Sequence, residues 1–115
     1  MTTPALNERE LRRYRDRIAD RWEIVALLVG GARVEDARGA PPQRERGPEF
    51  RVVVVSPSFQ GVPWLERVWH AEALWDAAEM GAPAAVECFT PVEWERRIAT
   101  VPTVGRFAAS ALTVG

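Results

Sequence analysis

Cysteine is nearly absent from this chain. Cys88 is the single one among 115 residues, so no disulfide can close within the chain, and its place in a short apolar stretch suits a buried thiol and a reducing, cytoplasmic setting. Histidine is as scarce: with His70 alone beside one cysteine, the ligands for a structural zinc site are not there. Lysine is missing altogether. All 15 basic residues are arginine, spread over the expected solvent faces, which fits coding bias better than selection for forked, bidentate contacts. No run approaches the roughly 18 apolar residues needed to span a bilayer, and the stretch from Met1 to Arg13 is polar and charged, so a soluble, unexported protein is expected. Excess charge is lacking too. The formal net charge is −1 with both signs interspersed, which leaves no electrostatic footprint for a nucleic-acid backbone or an anionic membrane. The length fits one domain around one core and leaves no room for a second.

Apolar periodicity is what the chain does have. Asn7 is placed to cap a helix, with Glu10 three residues on to reach back to it, and Leu11, Tyr14, Ile18 and Trp22 then form one stripe against a charged opposite face. Ile24 to Val29 is a continuous apolar run ended by Gly30-Gly31, and Phe50 to Val55 is another. Such runs mark strands covered on both faces, and the second belongs at the sheet centre. Between them a short helix is expected over 32–37, followed by a flexible loop at about 38–48 rich in Gly, Pro and charge. A helix from Pro63 to Met80 presents Trp64, Val68, Ala71, Trp75 and Ala78 to the sheet, closed by Gly81. Trp69 falls off that stripe and is a candidate subunit contact or is packed by another element. A third strand spans Ala84 to Phe89. Thr90 then caps a helix from Val92 to Ile98 with Pro91 at its first position and Glu93 as an acidic group in the first turn, and a small-residue segment from Val104 to Ala111, compatible with a helix, is the least defined. The expected fold class is α/β (α+β), a small mixed sheet flanked by helices.

The stretch from Val25 to Trp94 resembles the minimal nucleotidyltransferases of the DNA polymerase beta type. The resemblance rests on the apolar strand Leu27-Leu28-Val29 with its Gly30-Gly31 turn, the strand Val52 to Pro57, the tryptophan-rich helix, and Cys88-Phe89-Thr90-Pro91. It implies a Gly-Ser turn for triphosphate, an Asp-x-Asp pair and a third Asp holding two divalent ions for in-line attack. This chain departs from that pattern. Gly31 stands at the serine, Glu49 and Arg51 at the Asp-x-Asp pair, and Ala85 at the last Asp, with Glu87 the nearest carboxylate. A guanidinium cannot ligate Mg²⁺ and opposes a cation beside it.

The resemblance therefore implies a catalytically degenerate nucleotidyltransferase-like protein, a pseudoenzyme acting through protein or nucleotide binding. Its expected partner is a helical protein, as in two-protein toxin-antitoxin-like systems, or a second copy in a homodimer. The alternative is an active enzyme with a rearranged site, Glu49 and Glu87 being catalytic and Mg²⁺ or Mn²⁺ required; otherwise no cofactor is expected. Gly30, Gly31, Arg33 and Arg51 are the candidate nucleotide-binding residues. Arg51 also has a plainer use, an ion pair with Glu49 or Glu87. His70 sits on a polar helix face with Glu66 and Arg67, and Ser56 and Ser58 have no evident base, so no nucleophile-base set emerges.

Overall fold

A computed structural model describes residues 7–31 and 50–114. The elements run in the order α1 (Glu8–Ala19), β1 (Ala26–Gly31), β2 (Phe50–Val55), a 3-10 turn (Pro57–Phe59), α2 (Trp64–Ala73), α3 (Ala77–Met80), β3 (Ala84–Phe89), α4 (Pro91–Thr100), α5 (Pro102–Ser110) and β4 (Leu112–Thr113). The helix expected over 32–37 and the loop at 38–48 lie outside the described residues. No helix among those described is long and apolar enough to cross a membrane.

The strands form one mixed sheet in the order β3-β2-β1-β4. β1 is antiparallel to β2 and to β4, whereas β2 and β3 are parallel. A parallel neighbour cannot be reached by a tight turn, so the chain returns through α2 and α3. The valine run of β2 takes the central place because both of its faces are covered. Val52 and Val54 point, with Leu27, Val29, Val86 and Cys88, toward Leu11, Tyr14 and Ile18 of α1 and Ala71 of α2. Val53 and Val55 point the other way, with Leu28 and Phe89, toward Trp94 of α4 and Val104 of α5. The small mixed sheet with flanking helices expected from the sequence is therefore present.

Local signals are largely honoured. Asn7 accepts a hydrogen bond from the Glu10 amide at 3.1 Å, although the Glu10 side chain turns away to Arg17 at 2.6 Å instead of completing a capping box. Thr90 and Glu93 do complete one at the start of α4. Tyr14 donates to the Ala71 carbonyl at 3.0 Å and Arg17 to the Leu74 carbonyl at 2.9 Å, which docks α1 along α2.

The single helix expected from Pro63 to Met80 is instead two. Asp76 caps a new helix by accepting from the Glu79 amide at 3.0 Å, and the half-buried Trp75 packs against the edge of the core beside Tyr14 and Phe50 while donating to the Ala82 carbonyl at 3.0 Å. An Asp that can satisfy free amide donors competes with helix continuation, and here it wins. The segment after Pro102 is helical, and its two-residue continuation as β4 had no sequence signal.

Candidate functional site

The polar residues singled out on the sheet do come together in part. Register places Gly30 opposite Arg51 and Arg51 opposite Ala85. Arg51 and Glu87 form a salt bridge, with Nη2 at 3.1 Å and Nε at 3.3 Å from the same carboxylate oxygen. The Arg51 guanidinium also lies 4.6 Å from the Phe107 ring centroid. A Cβ on Gly30 would stand 2.9 Å from that ring. Phe107 of α5 thus fills the space beneath Gly30, and the absence of a side chain there is what lets α5 approach the sheet. Gly31 is exposed at the end of β1. Glu49 and Arg33 lie outside the described residues. The visible arrangement is a cross-strand ion pair under an aromatic ring, and this use of Arg51 is the plainer of the two readings its sequence position allowed.

The nucleophile candidates have structural occupations. The Ser56 hydroxyl accepts from the Ser58 amide at 3.0 Å, and that of Ser58 from the Glu23 amide at 3.2 Å. His70 is half-buried, 3.5 Å from Arg21 and edge-on to Trp22. Cys88 is fully buried; burial pushes its thiol up to about 12, with only partial relief from Arg67, so no thiolate nucleophile is offered at neutral pH. Among the described residues, no three His, Cys, Asp or Glu side chains group as metal ligands.

Among the described residues, unspent chemistry collects in a cleft between α2 and α4, at the end of β3. It measures about 440 Å³ and is lined by Trp64, Arg67, Phe89, Glu93, Arg96, Arg97 and Thr100. Its aromatic wall is built by stacking: the Phe89 ring lies 5.3 Å from Trp64 on one side and 5.3 Å from Trp94 on the other. Trp94 is buried by the sheet, whereas Trp64 leaves 43% of its surface exposed.

Arg67 is the clasp of the cleft. Only 7% exposed, it donates to the Val62 carbonyl at 2.8 Å, the Cys88 carbonyl at 3.3 Å and the Glu93 carboxylate at 2.8 Å. It thereby ties the start of α2, the end of β3 and the start of α4 at one point. Its hydrogen bond is the main reason the Glu93 carboxyl is held below the usual range, and the Thr90 amide and hydroxyl add to this against a burial penalty. Arg96 and Arg97 are exposed on the cleft rim, and the Arg97 guanidinium sits 5.8 Å from the Phe89 ring.

Sequence reasoning missed Arg67, Arg96 and Arg97. The capping-box Glu93 was visible as an acidic first-turn residue. Its pairing with an arginine on another helix had no mark in the sequence. Arg67 was read instead as part of a polar face beside Glu66 and His70. Trp69 was read correctly as lying off the core stripe and is 76% exposed.

The same architecture occurs in a solved structure, the BolA domain of SufE1 from Arabidopsis thaliana. The match has a TM-score of 0.51 and 24% sequence identity, and it covers 77% of this chain and 99% of that one. The fold is that of a BolA domain. No family model matches the sequence, and no curated protein matches it.

This finding overturns the resemblance to minimal nucleotidyltransferases and the readings built on it. Neither a degenerate nucleotidyltransferase acting by binding nor an active enzyme using Glu49 and Glu87 is supported. The nucleotidyltransferase, pseudoenzyme, nucleotide-binding and toxin-antitoxin-like descriptions go with them. The physical reason is visible on the sheet: where the resemblance required space for a triphosphate, this chain packs the Phe107 ring of α5 against Gly30. Apolar strands, a Gly-Gly pair and a tryptophan-rich helix are compatible with both folds, and the missing carboxylates were the discriminating feature.

Proposed function

We propose that this chain is a BolA-like protein that works by docking onto a partner protein at the cleft between α2 and α4. The observation that carries this reading is the half-exposed face of Trp64 held open beside Arg96 and Arg97. An aromatic ring with arginines around it is the composition that dominates binding energy at protein interfaces, whereas an isolated exposed apolar residue means little. The clasp formed by Arg67 keeps the cleft shaped without a ligand, which lowers the ordering cost of binding. The occupied hydroxyls and the protonated Cys88 thiol favour binding over covalent chemistry. A lone buried thiol also fits the reducing cytoplasm as the place of action.

The test compares proteins that co-purify with the tagged wild-type chain, with Trp64→Ala and with Arg12→Ala. Arg12 is exposed by β4, at the opposite edge of the sheet. A partner lost with Trp64→Ala and kept with Arg12→Ala is the expected result. Identical partner sets for all three, with the Trp64 variant folded, would defeat the proposal.

A further inference from the structure

The cleft also has a direction and a charge, and these narrow its occupant. On α4 its lining residues are Glu93, Arg96, Arg97 and Thr100, which follow the i, i+3, i+4, i+7 spacing of one helix face. Seven residues of helix rise roughly 10 Å, the length of about three residues of extended chain. The three arginines of the lining face one carboxylate, in a chain whose overall charge is −1. Arg67 is already committed to Glu93. Arg96 and Arg97 form no salt bridge among the described residues, so their forks remain available at the rim. Next to them, the exposed part of Trp64 presents an apolar face backed by the buried Phe89 ring.

From this charge complementarity we infer that the cleft takes a short acidic segment of a partner protein, in which one large apolar side chain is flanked by Asp or Glu. The inference rests on the docking reading above. The apolar side chain lies against Trp64, and the flanking carboxylates meet the guanidinium groups of Arg96 and Arg97, whose planar forks match a carboxylate better than a point charge does. Because those two arginines are exposed, their contribution is screened by salt and is modest in strength, and it selects among segments that already fit the wall.

The experiment uses an array of random ten-residue peptides probed with the full chain, with Trp64→Ala and with the double variant Arg96→Glu/Arg97→Glu, each checked for native unfolding behaviour. Peptides whose binding depends on Trp64 are expected to carry Asp or Glu around a Leu, Ile, Phe or Trp. They should lose roughly 2- to 30-fold in affinity with the double variant, the range for two exposed ion pairs. The double variant should in turn prefer peptides bearing Lys or Arg. Trp64-dependent binders with no excess of acidic residues would overturn this inference and leave the docking reading standing. An array with no Trp64-dependent binder would also overturn it, and the docking reading would then stand or fall on the co-purification result.

Discussion

Arg67 offers the sharpest test of how the cleft is held. Replacing it with methionine keeps most of the packing length of the side chain and removes every hydrogen bond it donates. Those bonds reach the Val62 and Cys88 carbonyls and the Glu93 carboxylate. Val62 and Glu93 can recover water, Glu93 being 44% exposed at its side chain, but the Cys88 residue is fully buried and its carbonyl cannot. Breaking a buried pair outright costs 3–5 kcal/mol; with one partner half in solvent the loss belongs near the lower end, about 3 kcal/mol. For a domain of this size that is a fall in Tm of roughly 12 °C. Urea unfolding of wild type, Arg67→Met, Glu93→Gln and the double variant checks it. The cycle should show a coupling of about 1–2 kcal/mol, and Glu93→Gln alone should cost less than Arg67→Met because it leaves the carbonyl contacts intact. The sign with pH is fixed as well. The folded Glu93 carboxyl is held below its ordinary value of 4.5, so its contribution is complete above that value and is lost as pH falls through the lower folded value. The gap between wild type and Glu93→Gln should close in acid. An Arg67→Met variant within about 0.5 kcal/mol of wild type, the ordinary range for surface substitutions, would refute the clasp.

Further outcomes follow from the packing. Gly30→Ala should destabilise by about 1 kcal/mol, the low end of overpacking, because its Cβ would meet the tip of the half-buried Phe107 ring at 2.9 Å, and adding Phe107→Leu should recover part of that loss in thermal unfolding. Cys88 should resist thiol reagents in the native protein. Its raised value near 12 against an ordinary 9.0 means that stability is fully present below about pH 9 and is lost as pH rises toward 12, since the unfolded thiol ionises first; pH-dependent urea midpoints would show it. Trp75→Ala should cost about 3 kcal/mol, the low end for truncating a core aromatic, because the half-buried indole packs against Tyr14 and Phe50 and donates to Ala82, whereas Trp69→Ala, at 76% exposure, should change stability by less than about 0.5 kcal/mol.

The fold was legible where one period dominated. The valines of β2, the Leu11-Tyr14-Ile18 stripe and the Thr90-Pro91-Glu93 start of α4 each carry local and tertiary signals that agree, and those elements sit where the sequence puts them. The break between α2 and α3 was not legible, because Asp76 reads as a surface residue until its capping role is seen, and Trp75 keeps the helical stripe even where the helix has ended. Long-range pairing was hidden altogether. Arg67 and Glu93 are 26 positions apart, and neither residue type announces the other. Gly30-Gly31, expected as a turn and found as the paired end of β1, illustrates the opposite failure: a glycine that makes room for Phe107 has the same letter as one that makes room for a phosphate. Only the structure tells the two apart, and with them the BolA-like fold from the one its motifs resembled.

Site-specific photo-crosslinking in living cells tests the docking claim most directly. A benzoylphenylalanine placed at Thr100, on the cleft, is expected to give a discrete protein adduct that weakens with Trp64→Ala, while the same probe at Arg12 gives no such band. Adducts of equal yield from both positions, or none from Thr100, would contradict the account.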